Sequence, residues 1–184
     1  MDKISNVDAT PAGGGSRVDL RDLAARGGTL EGSVAVGALA RLAPSLAGPV
    51  DGLQAHWRLE GLVRTLPGGA LQPMARLTVR AEVPMQCQRC LKPAPQSIDD
   101  SALFRLVDVE PELTLEELEA EDEALCVEGP VDVLEFVEDQ LILALPLIPM
   151  HDACPQPLDS AGDAQAGAPR ESPFAKLAQL KQSR

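Results

Sequence analysis

The sequence has 184 residues, of which 45% are hydrophobic but only 2% aromatic, with no Tyr and a single Trp. That length suits one domain whose core is filled by Leu, Val and Ala rather than by stacked rings, and it offers few aromatic platforms for single-stranded bases. Sixteen Lys and Arg against 28 Asp and Glu give a formal net charge of -12, which disfavours non-specific nucleic-acid binding and favours basic partners.

Residues 1–16, ending in Gly13-Gly14-Gly15, read as a flexible N-terminal arm. It has no charged opening followed by an apolar run, so no signal peptide is expected. The apolar stretch Leu141 to Met150 is too short and too broken by Pro to span a bilayer. A cytoplasmic, reducing setting without a membrane partner is therefore expected. In that setting four cysteines are more readily metal ligands or buried thiols than disulfides.

Residues 17–154 read as a single α+β domain. Asp19 to Ala25 suits a short helix, Thr29 to Val34 a strand, and Val36 to Leu46 a second helix with Leu39, Leu42 and Leu46 on one side. Strict alternation follows, with Leu53, Ala55, Trp57 and Leu59 on one face and Gln54, His56, Arg58 and Glu60 on the other. After a Pro67-Gly68-Gly69 turn, Ala75, Leu77, Val79, Ala81 and Val83 alternate with Arg76, Thr78, Arg80 and Glu82, predicting a hairpin of Leu53–Arg64 with Leu71–Gln86. A third strand is expected from Ile98 to Val107. The fold expected is an antiparallel sheet or partly open barrel with a few packing helices and a possible zinc knuckle.

From Asp108 to Asp139 there are fourteen acids and no Lys or Arg, whereas Arg58 to Arg105 holds seven basic residues against four acids. The acidic block reads as part loop and part helix, with Thr114 placed to cap a helix three residues before Glu117. Val131 to Leu145 carries Val133, Phe136, Val137, Gln140, Leu141 and Ala144 at helical spacing and ends against Pro146, so a helix is predicted to cover the sheet. Residues 155–172 then read as a flexible linker, and 173–184 as a short closing helical motif with Phe174, Leu177 and Leu180 at helical spacing.

The chemistry concentrates in two short segments. Cys87-Gln88-Arg89-Cys90 has the spacing with which two thiolates chelate one zinc ion from a tight turn, and His151-Asp152-Ala153-Cys154 offers an imidazole and a third thiol at similar spacing. Together they would form one Cys-Cys-His-Cys site stapling the hairpin turn to the end of the long helix. The competing reading leaves all four as ordinary strand-end and loop residues, and Cys126 is expected as a small buried hydrophobe. A redox role for the Cys pair lacks the helix N-terminus it would need, because a strand precedes Cys87. His56 reads as a polar-face strand residue, and neither a Walker loop nor a Gly-x-Gly-x-x-Gly turn is present.

Two surfaces are candidates for partners. Arg76, Arg80, Arg89 and Lys92 share the polar side of the sheet and its turn, where a phosphate contact competes with a plain solvated face. Glu116, Glu117, Glu119 and Glu121 form an acidic belt suited to a basic protein, with a purely solubilising belt as the alternative. The closing motif with Phe174, Leu177 and Leu180 would add a tethered contact.

Val83-Pro84-Met85-Gln86-Cys87-Gln88-Arg89-Cys90-Leu91, then Val137 to Pro146 leading to His151 and Cys154, then Pro173-Phe174-Ala175-Lys176-Leu177-Ala178-Gln179-Leu180-Lys181 resemble, in order, the bacterial YceD family. The resemblance covers residues 17 to 184. It implies a non-enzymatic role in the synthesis, processing or stability of 23S ribosomal RNA, with a ribosomal or assembly protein, or the RNA itself, as partner. The short His151-x-x-Cys154 spacing departs from relatives with a longer gap, so the resemblance alone does not assign metal binding. A metal-dependent RNA-processing enzyme and a general zinc-binding interaction module are the alternatives.

Overall fold

A computed structural model of the protein describes residues 17–155. The arm expected at residues 1–16 and nearly all of the linker and closing motif, including Phe174, Leu177 and Leu180, lie outside the described residues. The elements run in the order β1 (Arg17–Val18), α1 (Leu20–Ala25), β2 (Thr29–Ala35), β3 (Gln54–Thr65), β4 (Leu71–Gln86), β5 (Pro93–Val107), α2 (Leu115–Leu118), β6 (Glu123–Cys126), β7 (Val131–Asp132) and α3 (Val133–Leu143).

Alternation in β3 and β4 produces the hairpin expected from them. The two pair antiparallel from Ala55 opposite Ala81 to Thr65 opposite Leu71, so Trp57 faces Val79 and Leu59 faces Leu77. All four are buried. β4 then pairs along its length with β5, from Met74 opposite Arg105 to Gln86 opposite Pro93. The result is an open five-stranded sheet in the order β2-β3-β4-β5-β6, not a barrel. It is antiparallel except at one edge, where β6 runs parallel to β5.

One face of this sheet is covered by two helices. α1 is capped by Asp19, whose carboxylate accepts from the Arg21 and Asp22 amides, and it buries Leu20, Leu23 and Ala24. α3 is capped by Asp132 and lays Val133, Val137 and Leu141 into the same core, one turn apart. Phe136, expected to be buried, is half-buried and tilts against Phe104 with ring centroids 4.9 Å apart. Asp100 falls on the inner face of β5 with Ile98 and Phe104, and there its carboxylate accepts from Gln140 of α3 at 2.5 Å.

The helix expected from Val36 to Leu46 is instead two 3-10 turns, Val36–Ala38 and Ala43–Ser45, with Pro44 inside the second. The amides of Arg41 and Leu42 turn away from the local chain to a single acceptor, the buried Glu138 carboxylate of α3, at 2.6 and 3.0 Å. Arg41 also reaches the Glu138 carboxylate through Nε at 3.1 Å and the Glu135 carbonyl at 2.9 Å, and pairs with Asp139. Those long-range bonds replace the helical ladder, and Val36, Leu39 and Leu42 still reach the core.

α1 approaches β3 so closely that only glycine fits between them. A Cβ on Gly61 would stand 2.2 Å from the Leu23 carbonyl oxygen, a backbone atom that cannot swing aside. Gly61→Ala is expected to push α1 off the sheet and lower stability by about 1–3 kcal/mol, measured by urea unfolding. Glu138→Ala, which leaves two inward-facing amides without their acceptor, is expected to cost a similar amount, about 1–3 kcal/mol. The half-exposed Arg41 can rehydrate, which keeps this below the cost of breaking a fully buried pair.

Candidate metal centre

The β4–β5 hairpin ends in a tight knuckle rather than a plain turn. The Cys87 amide donates to the Lys92 carbonyl and the Leu91 amide to the Cys87 carbonyl, both at 2.9 Å. Leu91 takes a positive φ of 60° to close the turn. The segment following α3 is laid against this knuckle by three contacts. The Gln88 amide donates to the Pro149 carbonyl at 2.9 Å, and Gln96 Nε2 to the Met150 carbonyl and Arg89 to the His151 carbonyl, both at 3.3 Å.

These contacts bring together the four residues that spacing singled out. The ligand atoms of Cys87, Cys90, His151 and Cys154 all lie within 4.8 Å of one another. Cys87 Sγ and Cys154 Sγ are 3.8 Å apart, and Cys90 Sγ is 3.4 Å from His151 Nδ1. A tetrahedral site with Zn–S of about 2.3 Å and Zn–N of about 2.0–2.1 Å has edges of about 3.8 Å between sulfurs and about 3.6 Å between sulfur and nitrogen. The donor set and its spacing therefore fit a single zinc ion.

The surroundings prepare these atoms as ligands. His151 Nε2 lies 2.9 Å from the Pro93 carbonyl, which can only accept, so Nε2 carries the proton and Nδ1 presents its lone pair to the sulfurs. Burial opposes ionisation of Cys87, but the backbone amides of Cys90, His151 and Arg89 hold its thiol down at about 5, a thiolate at neutral pH. Cys154 is pushed the other way, up to about 11, first by burial and then by hydrogen bonds with the sulfurs of Cys90 and Cys87. Cys87 and Cys90 are buried, Cys154 and His151 half-buried. With Ala94 the two cysteines form a small core separate from the main one. Cys126 is exposed rather than buried, because it sits at the end of the edge strand β6, where its thiol donates to the Asp108 carbonyl.

The partner-binding candidates are distributed less simply. Arg76 and Arg80 stand on the open face of β4, with Arg80 paired to Asp99 at 3.0 Å. Arg89 and Lys92 are on the knuckle, exposed. A shallow cleft of about 380 Å³ on the same open face holds His56, Arg80, Ser97 and Asp99. Among the described residues no hydrogen bond joins His56 to Ser97 or to a carboxylate, so no nucleophile and base are coupled there.

The acidic block divides into internal and external parts, which sequence reasoning missed. Glu117 and the buried Asp122 both pair with Arg105, Asp122 also pairs with Arg64, and Asp108 pairs with Arg21 at 2.8 Å. Glu138 and Asp139 hold Arg41, and Asp132 caps α3. Glu110, Glu112, Glu119, Glu121, Glu123, Glu128 and Glu135 remain exposed, without an ion pair among the described residues. Of the belt residues singled out, Glu119 and Glu121 are thus outward and Glu117 inward; the Glu116 side chain lies outside the described residues. The loop from Asp108 to Asp122, with α2, is a flap tied across the end of the sheet by Arg64 and Arg105.

Residues 75–181 match the family described as large ribosomal RNA subunit accumulation protein YceD. The chain belongs to the YceD family. A YceD-family relative from Haemophilus influenzae, named large ribosomal RNA subunit accumulation protein YceD, is 34% identical over 115 residues, covering 56% of this chain and 63% of the relative. The chain thus spans less than two thirds of the relative's length. No solved structure matches it. No helix among the described residues is long and apolar enough to cross a membrane.

Because Asp122 is buried between two arginines, Asp122→Ala is expected to loosen the flap and β6. The loss should be about 1–3 kcal/mol, since Arg64 and Arg105 remain partly hydrated. Hydrogen exchange should rise selectively at the β6 amides, leaving those of β3 and β4 unchanged.

Proposed function

We propose that this chain is a non-enzymatic factor that supports accumulation of 23S ribosomal RNA, acting as an adaptor whose acidic flap captures a basic ribosomal or assembly protein. Family membership over residues 75–181 supports the ribosomal side of this reading. The exposed, unpaired Glu110, Glu112, Glu119, Glu121 and Glu123 support the basic partner. A net charge of -12 makes the chain itself a poor ligand for bare RNA, so a protein contact is favoured over direct RNA binding. In this reading zinc at Cys87, Cys90, His151 and Cys154 is structural: four protein ligands close the tetrahedron and leave no open position for a reactive water. What the metal would supply is a crosslink between the hairpin and the end of α3.

Purified protein is expected to carry about one zinc per chain. Cys90→Ala should abolish zinc binding and lower the thermal midpoint by several degrees, while Cys126→Ala leaves both unchanged. Metal-free protein with an unaltered midpoint would rule out the structural role.

For the partner, the informative variant changes only the outward acids, Glu110, Glu112, Glu119, Glu121 and Glu123, to Gln, leaving Glu117 and Asp122 in their ion pairs. In bacteria lacking the family's gene, the unmodified chain should restore the ratio of 23S to 16S RNA and the variant should not. Crosslinked pull-down should recover a basic protein whose capture weakens with salt for the unmodified chain. Recovery of RNA without protein, or equal capture by the variant, would overturn the adaptor reading.

A further inference from the structure

The structure carries an apolar strip that the proposed function does not use. Leu143 at the end of α3, then Leu147, Ile148 and Met150, are exposed at 74, 99, 65 and 47%, and Leu91 on the adjoining knuckle at 55%. Their backbone is held in place: Pro149, Met150 and His151 each accept a hydrogen bond from the knuckle or β5. A rigid segment that turns consecutive large apolar side chains to solvent is a docking surface rather than a frayed end.

We infer that the occupant is the chain's own C-terminal segment, Pro173 to Lys181, laid over Leu143, Leu147 and Ile148 by its Phe174, Leu177 and Leu180. The attachment point is the first reason. The chain leaves the described domain at Pro155, directly after Cys154 of the metal centre and a few residues from Met150. Residues 156–172 are a 17-residue leash rich in Gly, Ala and Pro. A coil of that length and composition spans about 21–25 Å. That places the segment at millimolar effective concentration over nearby surfaces, enough to half-occupy a contact whose bimolecular Kd is itself about 1 mM.

Charge gives the second reason. Residues 173–184 contain Lys176, Lys181 and Arg184 and no acid, in a chain that is otherwise strongly acidic. Glu135 lies exposed two turns before Leu143 on α3 without an ion pair among the described residues, a negative charge on the margin of the apolar strip; Asp139, one turn before Leu143, is already paired with Arg41. The segment is too short to hold a helix alone in water, so its helical spacing of Phe174, Leu177 and Leu180 has a use only against such a surface.

The flap presents a rival surface, with Leu113, Leu115 and Leu118 exposed among its acids. Distance decides against it. β5 covers about 40 Å between Pro93 at the knuckle and Arg105, which anchors the flap. A leash with a typical span of about 21–25 Å reaches that far only when stretched to about two thirds of its full length, which lowers the effective concentration there well below that over the strip. The flap is left open for a partner, and the strip beside Pro155 takes the tail. The inference stands whether or not the adaptor reading holds.

The test is photo-crosslinking in the full chain, with p-benzoylphenylalanine replacing Leu147 in one preparation and Leu113 in another. The Leu147 probe is expected to join the Phe174–Lys181 peptide within a single chain, and the Leu113 probe is not. A bond to that peptide only in covalent dimers would assign the strip to a second copy and overturn the inference. Capture of the tail by the Leu113 probe, or by neither, would also overturn it. In parallel, Leu147→Glu, which alters a side chain that touches little else, should speed tryptic cleavage after Lys176 at least fivefold. Equal cleavage rates in the unmodified and variant chains would show that nothing shields the segment.

Discussion

The candidate site depends on the register of β4, which is held against β3 from Leu71 to Ala81 and against β5 from Met74 to Gln86. Side chains alternate faces along a strand, so a slip of one residue would turn Leu77, Val79, Ala81 and Val83 to solvent and Arg76, Arg80 and Glu82 into the core. The apolar pattern therefore holds the register, and the register decides where the hairpin ends. It ends with Gln86 opposite Pro93, which leaves the span from Cys87 to Lys92 to close on itself as a knuckle. A core almost free of aromatic rings achieves this through close packing, with Trp57 and Phe104 the only rings on the interior strands and Gly32 and Gly61 accommodating what stands above them.

The second half of the site arrives by a different route. α3 lies across the inner face, fixed by Val133, Val137 and Leu141 and by the polar contacts of Gln140 with Asp100 and of Glu138 with the loop at Arg41. These contacts set its axial position, and Pro146 ends any helical continuation. The segment after it then meets the knuckle, where backbone carbonyls of Pro149, Met150 and His151 find donors. The four candidate ligands therefore converge at a place already specified by ordinary packing. The acidic block works in the same way: the acids that meet Arg21, Arg41, Arg64 and Arg105 tie the flap and α3 down, and the rest repel one another in solvent.

What could be read in advance follows from how local each signal is. The two long strands were legible because alternation is a property of neighbouring residues, and α3 because Val133, Val137 and Leu141 recur at one-turn spacing. The Cys87–Cys90 and His151–Cys154 pairs were legible as halves, since two-residue spacing is itself a chelating geometry. The span from Val36 to Leu46 was misread because its leucines suit a helix, whereas its conformation is decided by Glu138, some ninety-seven residues away. The burial of Asp122 and the ion pair of Glu117 were hidden for the same reason: nothing in a run of acids marks which of them will face an arginine on another strand. Cys126 was expected inside because cysteine is commonly buried, but an edge strand running parallel at the sheet's rim offers no interior at its end.

The metal centre and the main core stand in unequal positions. The core draws on more than twenty buried side chains and does not include the ligands. The core around the knuckle consists of Cys87, Cys90 and Ala94, with Cys154 packed against it. Burying so little apolar surface offsets only a small part of the entropy of ordering two loops. The hydrogen bonds between the loops each contribute modestly in net terms. Four donor atoms at tetrahedral spacing, one of them a thiolate held by backbone amides, are the remaining source of order at that end of the sheet. Without a metal ion, the Cys87 thiolate and the protonated Cys154 thiol are offset only by backbone dipoles and the nearby Arg89 guanidinium. A zinc ion held by Cys87, Cys90, His151 and Cys154 would change that balance, since it would stabilise the thiolates that burial disfavours and crosslink strand end to helix end. The candidate site is remote from the acidic flap, at the opposite end of β5, so order at one end of the sheet does not depend on contacts at the other.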